Sequence, residues 1–333
     1  MQQRRLGRNG PTVSALGLGC MGMSDFYGPA DRAESIATIH AALDAGIDLL
    51  DTGDFYGMGH NELLIAEALK GRPRDKVKIA VKFGALRAPG GAFVGFDCRP
   101  AAVKNFLAYT LVRLGTDHVD VYYPARVDPK VPIEDTVGAI KQMVDAGLVR
   151  HIGLSEAGAA TLRRARAVAP IDWLQIEYSM LSRGIEPEIL PTARELGIGI
   201  SAYGVLSRGL LGGRWKPEAA SKGDYRSHMP RFTGDNLQRN LGLVEGLQGI
   251  ARDKGISVAQ LAIAWALARG EDIVPLAGAR TRERLKEALG ALDVRLTAED
   301  MARIEQVVPP GAAAGDRYDK HGMAMLDSEK KAG

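Results

Sequence analysis

The sequence predicts an α/β protein, a (β/α)8 TIM barrel with an N-terminal β-hairpin and long βα loops. Length is the first reason, because 333 residues suit a barrel of about 250 residues enlarged by loops. The second is a repeated change of pattern from short apolar runs rich in β-branched residues to longer amphipathic stretches, the mark of βα units around a parallel sheet. The third is number: eight strand-like and eight helix-like segments close a barrel. An open doubly wound sheet shares the alternation but needs a Gly-rich phosphate loop opening directly into a helix. Gly17-Leu18-Gly19-Cys20-Met21-Gly22 offers only the glycines, since the next helical pattern starts near Ala30-Asp31-Arg32.

Strands are expected at about residues 13–18, 47–51, 77–82, 119–123, 150–154, 172–177, 197–202 and 272–276. Helices are expected near residues 33–45, 60–69, 100–114, 134–147, 159–168, 186–195, 257–269 and 281–291. Ahead of them, the Asn9-Gly10 pair between two short segments signals a hairpin that would cap the barrel floor. Residues 84–99, 206–233 and 307–333 belong to no βα unit, and long loops in a compact domain are functional or disordered. The expected organisation is one domain over 1–333, with a barrel at about 13–292 and a C-terminal segment 293–333. Its tail, Asp327-Ser328-Glu329-Lys330-Lys331-Ala332-Gly333, is expected to be mobile.

Composition narrows the function. With 46% hydrophobic and 25% charged residues and 40 glycines, the chain can bury a large core and form many tight turns. No apolar stretch is long enough to span a membrane, and the start, Met1-Gln2-Gln3-Arg4-Arg5-Leu6-Gly7, has no signal-like core. Cys20 and Cys98, the only cysteines, are too few for a disulfide framework and fit a reducing cytoplasm. A net charge of +3 gives no reason to expect nucleic acid or membrane partners. His40, His60, His118, His151, His228 and His321 show no metal-binding spacing, so no metal is expected. No heptad pattern points to an obligate oligomer, and the oligomeric state stays open.

Active sites of such barrels lie at the carboxyl ends of the strands. There the second strand runs into Asp51-Thr52-Gly53-Asp54-Phe55-Tyr56-Gly57 and the third into Val81-Lys82-Phe83-Gly84. Asp51 alone reads as a helix cap and Lys82 alone as a snorkelling lysine. Together with Tyr56 at successive strand ends they make a site: an ammonium beside a phenol lowers the phenol pKa, and a carboxylate holds the ammonium, giving a general acid near neutral pH.

These stretches, with Gly17 through Gly22, Gly153-Leu154-Ser155-Glu156, Gln175-Ile176-Glu177-Tyr178-Ser179 and Tyr203 through Leu210, resemble the aldo-keto reductase superfamily. The similarity is to the bacterial and plant branch that includes perakine reductase, in the same order from about residue 4 to 308. It implies a cytoplasmic oxidoreductase that reduces an aldehyde or ketone with NADP(H), with NAD(H) as a secondary cofactor. Tyr56 would then be the proton donor, tuned by Lys82 and Asp51.

On the cofactor side the resemblance implies Met21, Ser155, Gln175, Tyr203, Leu206, Arg208, Gly209, Gly278, Arg280, Arg284 and Glu287. Tyr203 would give the nicotinamide a flat apolar surface. Residues 206–210 would run over the pyrophosphate, where backbone N–H groups and Arg208 meet negative charge. Arg280, Arg282 and Arg284 open a helix against its macrodipole, which favours a phosphate partner over a solvated basic face.

Two departures from the family pattern stand out. Within Tyr122-Tyr123-Pro124-Ala125-Arg126-Val127-Asp128-Pro129, Ala125 falls where the family carries a catalytic histidine, so a water, Tyr123 or Arg126 would have to replace the imidazole, or Tyr56 must act as the sole donor. Glu156 stands where many relatives carry an amide. The substrate pocket is expected among Met21, Phe26, Phe55, Phe83, Tyr123, Ala125 and Arg126, apolar walls that suit a small-molecule carbonyl. The alternative reading is a non-catalytic NADP(H)-binding regulatory or sensor subunit on the same fold. An unrelated barrel lyase or isomerase would need a phosphate loop or metal that the sequence does not display.

Overall fold

The computed structural model describes residues 1–213 and 224–330. A short antiparallel hairpin, β1 (Gln3–Arg5) and β2 (Thr12–Ser14), leads into the first barrel strand, β3 (Gly17–Gly19). Next come β4 (Leu49–Gly53) and β5 (Lys78–Phe83), then a second hairpin, β6 (Ala85–Arg87) and β7 (Phe93–Phe96). The remaining barrel strands are β8 (Val119–Pro124), β9 (Val149–Ser155), β10 (Trp173–Glu177), β11 (Gly199–Tyr203) and β12 (Ile273–Gly278). Eight parallel strands close in the order β3-β4-β5-β8-β9-β10-β11-β12. Strands of this kind are covered on both faces, which explains why β4 and β10 are buried from end to end and read as apolar runs rather than alternating ones.

The outer ring holds α1 (Arg32–Asp44), α2 (His60–Ala68), α3 (Pro100–Leu114), α4 (Ile133–Asp145), α5 (Ala159–Val168), α6 (Ile189–Leu196), α7 (Gly234–Asp253), α8 (Val258–Ala268) and α9 (Arg282–Leu289). Two further helices, α10 (Ala298–Val307) and α11 (Lys320–Ala324), follow the barrel. Local chemistry sets several boundaries. Pro100 opens α3, where its missing N–H costs nothing, and Gly115 in the left-handed region ends it. Ser257 and Gln260 form a capping box at the start of α8.

The period of two along each strand divides the residues between two cores. Phe83 and Tyr122 point outward and stack with ring centroids 4.2 Å apart beneath α3, where Tyr122 donates to the Val103 carbonyl at 3.0 Å. Leu49, Ala80, Val121, Tyr123, Trp173 and Val274 point inward and fill the lumen with Leu6 and Val13 of the N-terminal hairpin region. That region plugs the floor at close range: a Cβ on Gly199 would lie 2.4 Å from the Gly7 amide nitrogen.

Several expectations need correction. The strand expected at about residues 13–18 is two strands, one in the hairpin and one in the barrel, because Ala15 and Leu16 turn the chain between them. The hairpin itself forms, but its connection spans residues 6–11 and the left-handed residue is Gly7 (φ 75°), not the Asn9-Gly10 pair. The 20-residue α7 went unread, since its mixed Gly, Asn and Arg content blurs the apolar stripe. Residues 84–99 contain the β6–β7 hairpin rather than a structureless loop. The tail is docked where it is described: Leu326 and Asp327 are buried and Ser328 hydrogen-bonds Glu156 at 2.6 Å. Residues 331–333, and 214–223 of the 206–233 stretch, lie outside the described residues.

Candidate active site

The register of the barrel assembles the expected trio with two more residues. Lys82 pairs laterally with Gly53 on one side and Tyr123 on the other, which aims its side chain into the lumen at the carboxyl end. Its ammonium lies 2.7 Å from Asp51 Oδ1, 2.7 Å from Gln175 Oε1 and 3.3 Å from the Tyr123 hydroxyl. Gln175 returns its amide N–H groups to Asp51 Oδ2 at 2.7 Å and to Tyr123 at 2.9 Å, and the Tyr123 hydroxyl donates to Asp51 Oδ2. Every polar atom in this closed network has a partner, as burial of an ion pair requires. Burial pulls the Lys82 pKa down, and Asp51 opposes the pull.

Tyr56 stands above this network, in the single 3-10 turn Tyr56–Gly59 that follows β4. The Lys82 ammonium lies 5.2 Å from its ring centroid, and Phe55 meets the ring edge-on at 4.8 Å. Tyr56 is 4% exposed. Burial and the nearby Asp51 carboxylate hold its phenol well above the ordinary range, partly offset by Arg126. The net direction of the Tyr56 shift is thus upward, and the Lys82 hydrogen-bond donors go to Asp51, Gln175 and Tyr123.

Around the rim, backbone strain collects. Among the described residues, those other than glycine with positive φ are Phe26, Met58, Glu156, Ser207 and Arg208, and all lie in the loops at this mouth. Such conformations cost about 1–3 kcal/mol each and cluster at functional sites. The consecutive left-handed residues Ser207 (φ 47°), Arg208 (φ 56°) and Gly209 (φ 102°) make a tight turn after β11.

A second ionic network fills the mouth. Glu156, fully buried, accepts the Tyr203 hydroxyl at 2.7 Å and the two ends of the Arg317 guanidinium at 2.9 and 2.5 Å. Glu177 binds Arg208 at 2.9 Å. The Tyr318 hydroxyl lies 2.9 Å from that of Tyr203 and accepts from Arg126 at 3.2 Å, while the Arg208 guanidinium covers the Tyr318 ring at 4.2 Å. Burial pushes the Glu156 carboxyl up, but the Arg317 charge and hydrogen bonds overcome it and hold it well below the usual carboxylate range.

The expected pocket residues divide. Phe26 sits edge-on to Tyr56 at 6.3 Å, Phe55 flanks it, and Ala125 and Arg126 follow β8 at the rim. Phe83 is not a wall: it faces outward into the helix layer. Tyr123 lies wholly buried beneath the site, bonded to Asp51, so it lines nothing open. Met21 is half-buried in the turn after β3.

Glu177, Arg317 and Tyr318 escaped the sequence reading. Glu177 had a usable signal, a charge two residues beyond Gln175 on the same face of an apolar strand. Arg317 and Tyr318 had none, because no periodicity marks an irregular segment.

Comparison with known proteins follows from this geometry. The model of the Aldo/keto reductase family matches residues 15–309. The chain belongs to the aldo/keto reductase family. A probable aldo-keto reductase 1 of Glycine max is 43% identical over 319 residues, covering 96% of this chain and 92% of that protein. Among solved structures, the glycerol dehydrogenase AKR11B4 of Gluconobacter oxydans superposes with a TM-score of 0.83 at 28% identity, covering 92% and 94% of the two chains. The holo form of the aldo-keto reductase AKR11C1 of Bacillus halodurans gives 0.77 at 28% identity, with 96% and 99% covered. This aldo/keto reductase is thus an oxidoreductase of the NAD(P)H-dependent, carbonyl-reducing kind. Among its described residues, no helix is long and apolar enough to cross a membrane.

The residues expected at the cofactor are in part prepared for it. Ser155 Oγ is buried with no partner among the described residues, an orphan polar atom that fits a nicotinamide carboxamide. Gln175 is instead fully engaged with Lys82, Asp51 and Tyr123. Leu206 packs on the core at the start of the strained Ser207–Gly209 turn. Gly278 ends β12, exposed. Of the basic cluster, Arg282 is committed to Glu34 at 2.8 Å. Arg284 reaches Glu287 at 3.2 Å, and Arg280 donates to the carbonyls of Tyr27 and Pro29 at 3.0 and 3.2 Å.

Proposed function

We propose that the chain reduces an aldehyde or ketone to an alcohol with NADPH, Tyr56 supplying the proton. The observation that carries this reading is the buried Tyr56 ring 5.2 Å from the Lys82 ammonium, which Asp51 holds at 2.7 Å. When bound, the reduced nicotinamide supplies a hydride to the carbonyl carbon. Tyr56 gives its proton to the carbonyl oxygen as charge develops there, and Lys82, fixed by Asp51 and Gln175, stabilises the phenolate left behind.

With Ala125 in place of an imidazole, Tyr56 is the neutral donor at the oxygen. Ser155 and Tyr203 would hold the nicotinamide, the Ser207–Gly209 turn with Arg208 the pyrophosphate, and Arg280 and Arg284 the 2′-phosphate that favours NADPH over NADH. The Glu287 carboxylate beside Arg284 would meet the adenine edge.

The test is NADPH oxidation followed by absorbance with aromatic aldehydes, a dicarbonyl and a bulky ketone. The wild type turns over, and Tyr56→Phe loses about 10²–10⁴-fold in kcat, the usual contribution of a general acid. Tight NADPH binding without turnover of any carbonyl would favour the nucleotide-sensing reading instead.

A further inference from the structure

Most cations at the mouth have a carboxylate. Lys82 lies 2.7 Å from Asp51, Arg317 2.5 Å from Glu156, and Arg208 and Arg231 reach Glu177 at 2.9 and 3.9 Å. Arg126 has no carboxylate within ion-pair distance among the described residues. Its guanidinium donates to its neighbour's carbonyl, Ala125 O, at 2.7 Å and to the Tyr318 hydroxyl at 3.2 Å, with the Tyr318 ring at 5.7 Å. Glu156 is close enough to act on Arg126 through space, but both of its oxygens are taken by Arg317, Tyr203, Ser328 and the Glu177 amide.

A half-buried guanidinium whose hydrogen bonds go only to neutral oxygens has no carboxylate of its own, and its planar fork matches one at two points. Its place is equally specific. Arg126 follows Ala125 at the end of β8, the strand whose Tyr123 bonds Lys82 and Asp51, and through Tyr318 it reaches Tyr203, so it stands at the same mouth as Tyr56.

We propose that Arg126 binds a carboxylate carried by the substrate, which makes the preferred substrates oxo acids: aldehydes or ketones with a carboxylate a few bonds from the carbonyl. The Tyr318 hydroxyl that Arg126 now holds gives way to the substrate carboxylate. The inference rests on the reductase reading. In the reaction the carbonyl carbon gains the hydride supplied by reduced nicotinamide, the oxygen gains the Tyr56 proton, and the carboxylate passes through unchanged. Solvent then reprotonates Tyr56.

The test pairs acids with their neutral methyl esters: phenylglyoxylate and 4-formylbenzoate against methyl phenylglyoxylate and methyl 4-formylbenzoate, in the wild type, Arg126→Gln and Arg126→Lys. Binding of mandelate and methyl mandelate is measured in parallel by calorimetry. The wild type favours acid over ester by about 10–100-fold in kcat/KM, the range of a charge-assisted contact. In Arg126→Gln this ratio collapses towards unity, mainly through KM, and mandelate binding is lost; Arg126→Lys recovers part of both. Esters reduced as well as acids by the wild type would overturn the proposal. So would an equal loss of kcat on acid and ester in Arg126→Gln, which would mark Arg126 as a donor to the carbonyl oxygen. Turnover of simple aldehydes without mandelate binding sinks the carboxylate site and leaves the reductase standing. Mandelate binding that depends on Arg126, with no carbonyl reduced, supports the site and sinks the reductase.

Discussion

Arg317 grips Glu156 at two points, 2.9 Å to one carboxylate oxygen and 2.5 Å to the other, across 161 residues of chain. A pair this deep ties the C-terminal segment into the barrel mouth, and its desolvated charges depend on each other.

Removing one partner should therefore cost more than removing both. Arg317→Met is expected to destabilise the fold by about 3–5 kcal/mol, and the Arg317→Met, Glu156→Gln double variant by much less than the sum of the single changes. Because the Glu156 pKa is depressed, its contribution is present above the unfolded carboxylate pKa and is lost as pH falls through the folded value. Urea midpoints of all four proteins, measured from neutral to acid pH, check both statements. A double-variant loss equal to the sum of the two single losses would show that the pair is not coupled.

Asp54 titrates in the opposite sense. Burial, with Glu62 nearby, raises its carboxyl from 3.8 to about 8, against the smaller opposing effects of the Gly84 and Phe55 backbone amides and the Arg113 charge. The folded state thus holds this proton more tightly than the unfolded chain, so stability from this group falls as pH rises from about 4 to about 8. Asp54→Asn is expected to flatten that slope in thermal melts recorded across the range. A slope unchanged by the substitution would place the titration elsewhere.

An imidazole at position 125 tests what the replacement of the family histidine by Ala125 does to rate and substrate size. Ala125→His is expected to raise kcat on small aldehydes, by up to about 10²-fold if the ring reaches the oxygen. It should lower kcat/KM on bulky ketones, because the ring fills the space that Ala125 leaves. A parallel rise on both substrate sizes would show that the site does not discriminate by volume.

Nucleotide choice should follow two of the three arginines. Arg284→Ala combined with Arg280→Ala is expected to raise KM for NADPH about 10–100-fold, with far less effect on NADH, since charge-assisted contacts to a phosphate are worth that much. Arg282→Ala should spare the preference, because Arg282 is bound to Glu34. Steady-state kinetics with both nucleotides decide it.

The barrel was legible because its strands are buried on both faces, so their apolar runs stand out against amphipathic helices. The positions of Asp51, Tyr56 and Lys82 were legible from strand ends alone. What those positions mean electrically was not: Tyr56 is set by its burial and by the Asp51 and Arg126 charges, and Lys82 divides its donors among Asp51, Gln175 and Tyr123, all matters of lateral register between distant segments. Phe83 was misplaced for a related reason, as one step along a strand exchanges lumen for helix layer. The mouth network was invisible because Arg317 and Tyr318 lie in irregular chain, where no period announces what a side chain will touch.

The two tied-down ends of the described chain differ in what they leave accessible. Arg4 donates to the carbonyls of Leu267, Gly270 and Ile273 under the floor, whereas Ser328 and Glu329 bind Arg317 at the rim. A bulky label, support or fused partner joined near residue 3 would hang below the barrel and leave its entrance clear. The same cargo joined near residue 330 would crowd the doorway and strain the contact that closes it, so the choice of attachment point is itself a choice about access.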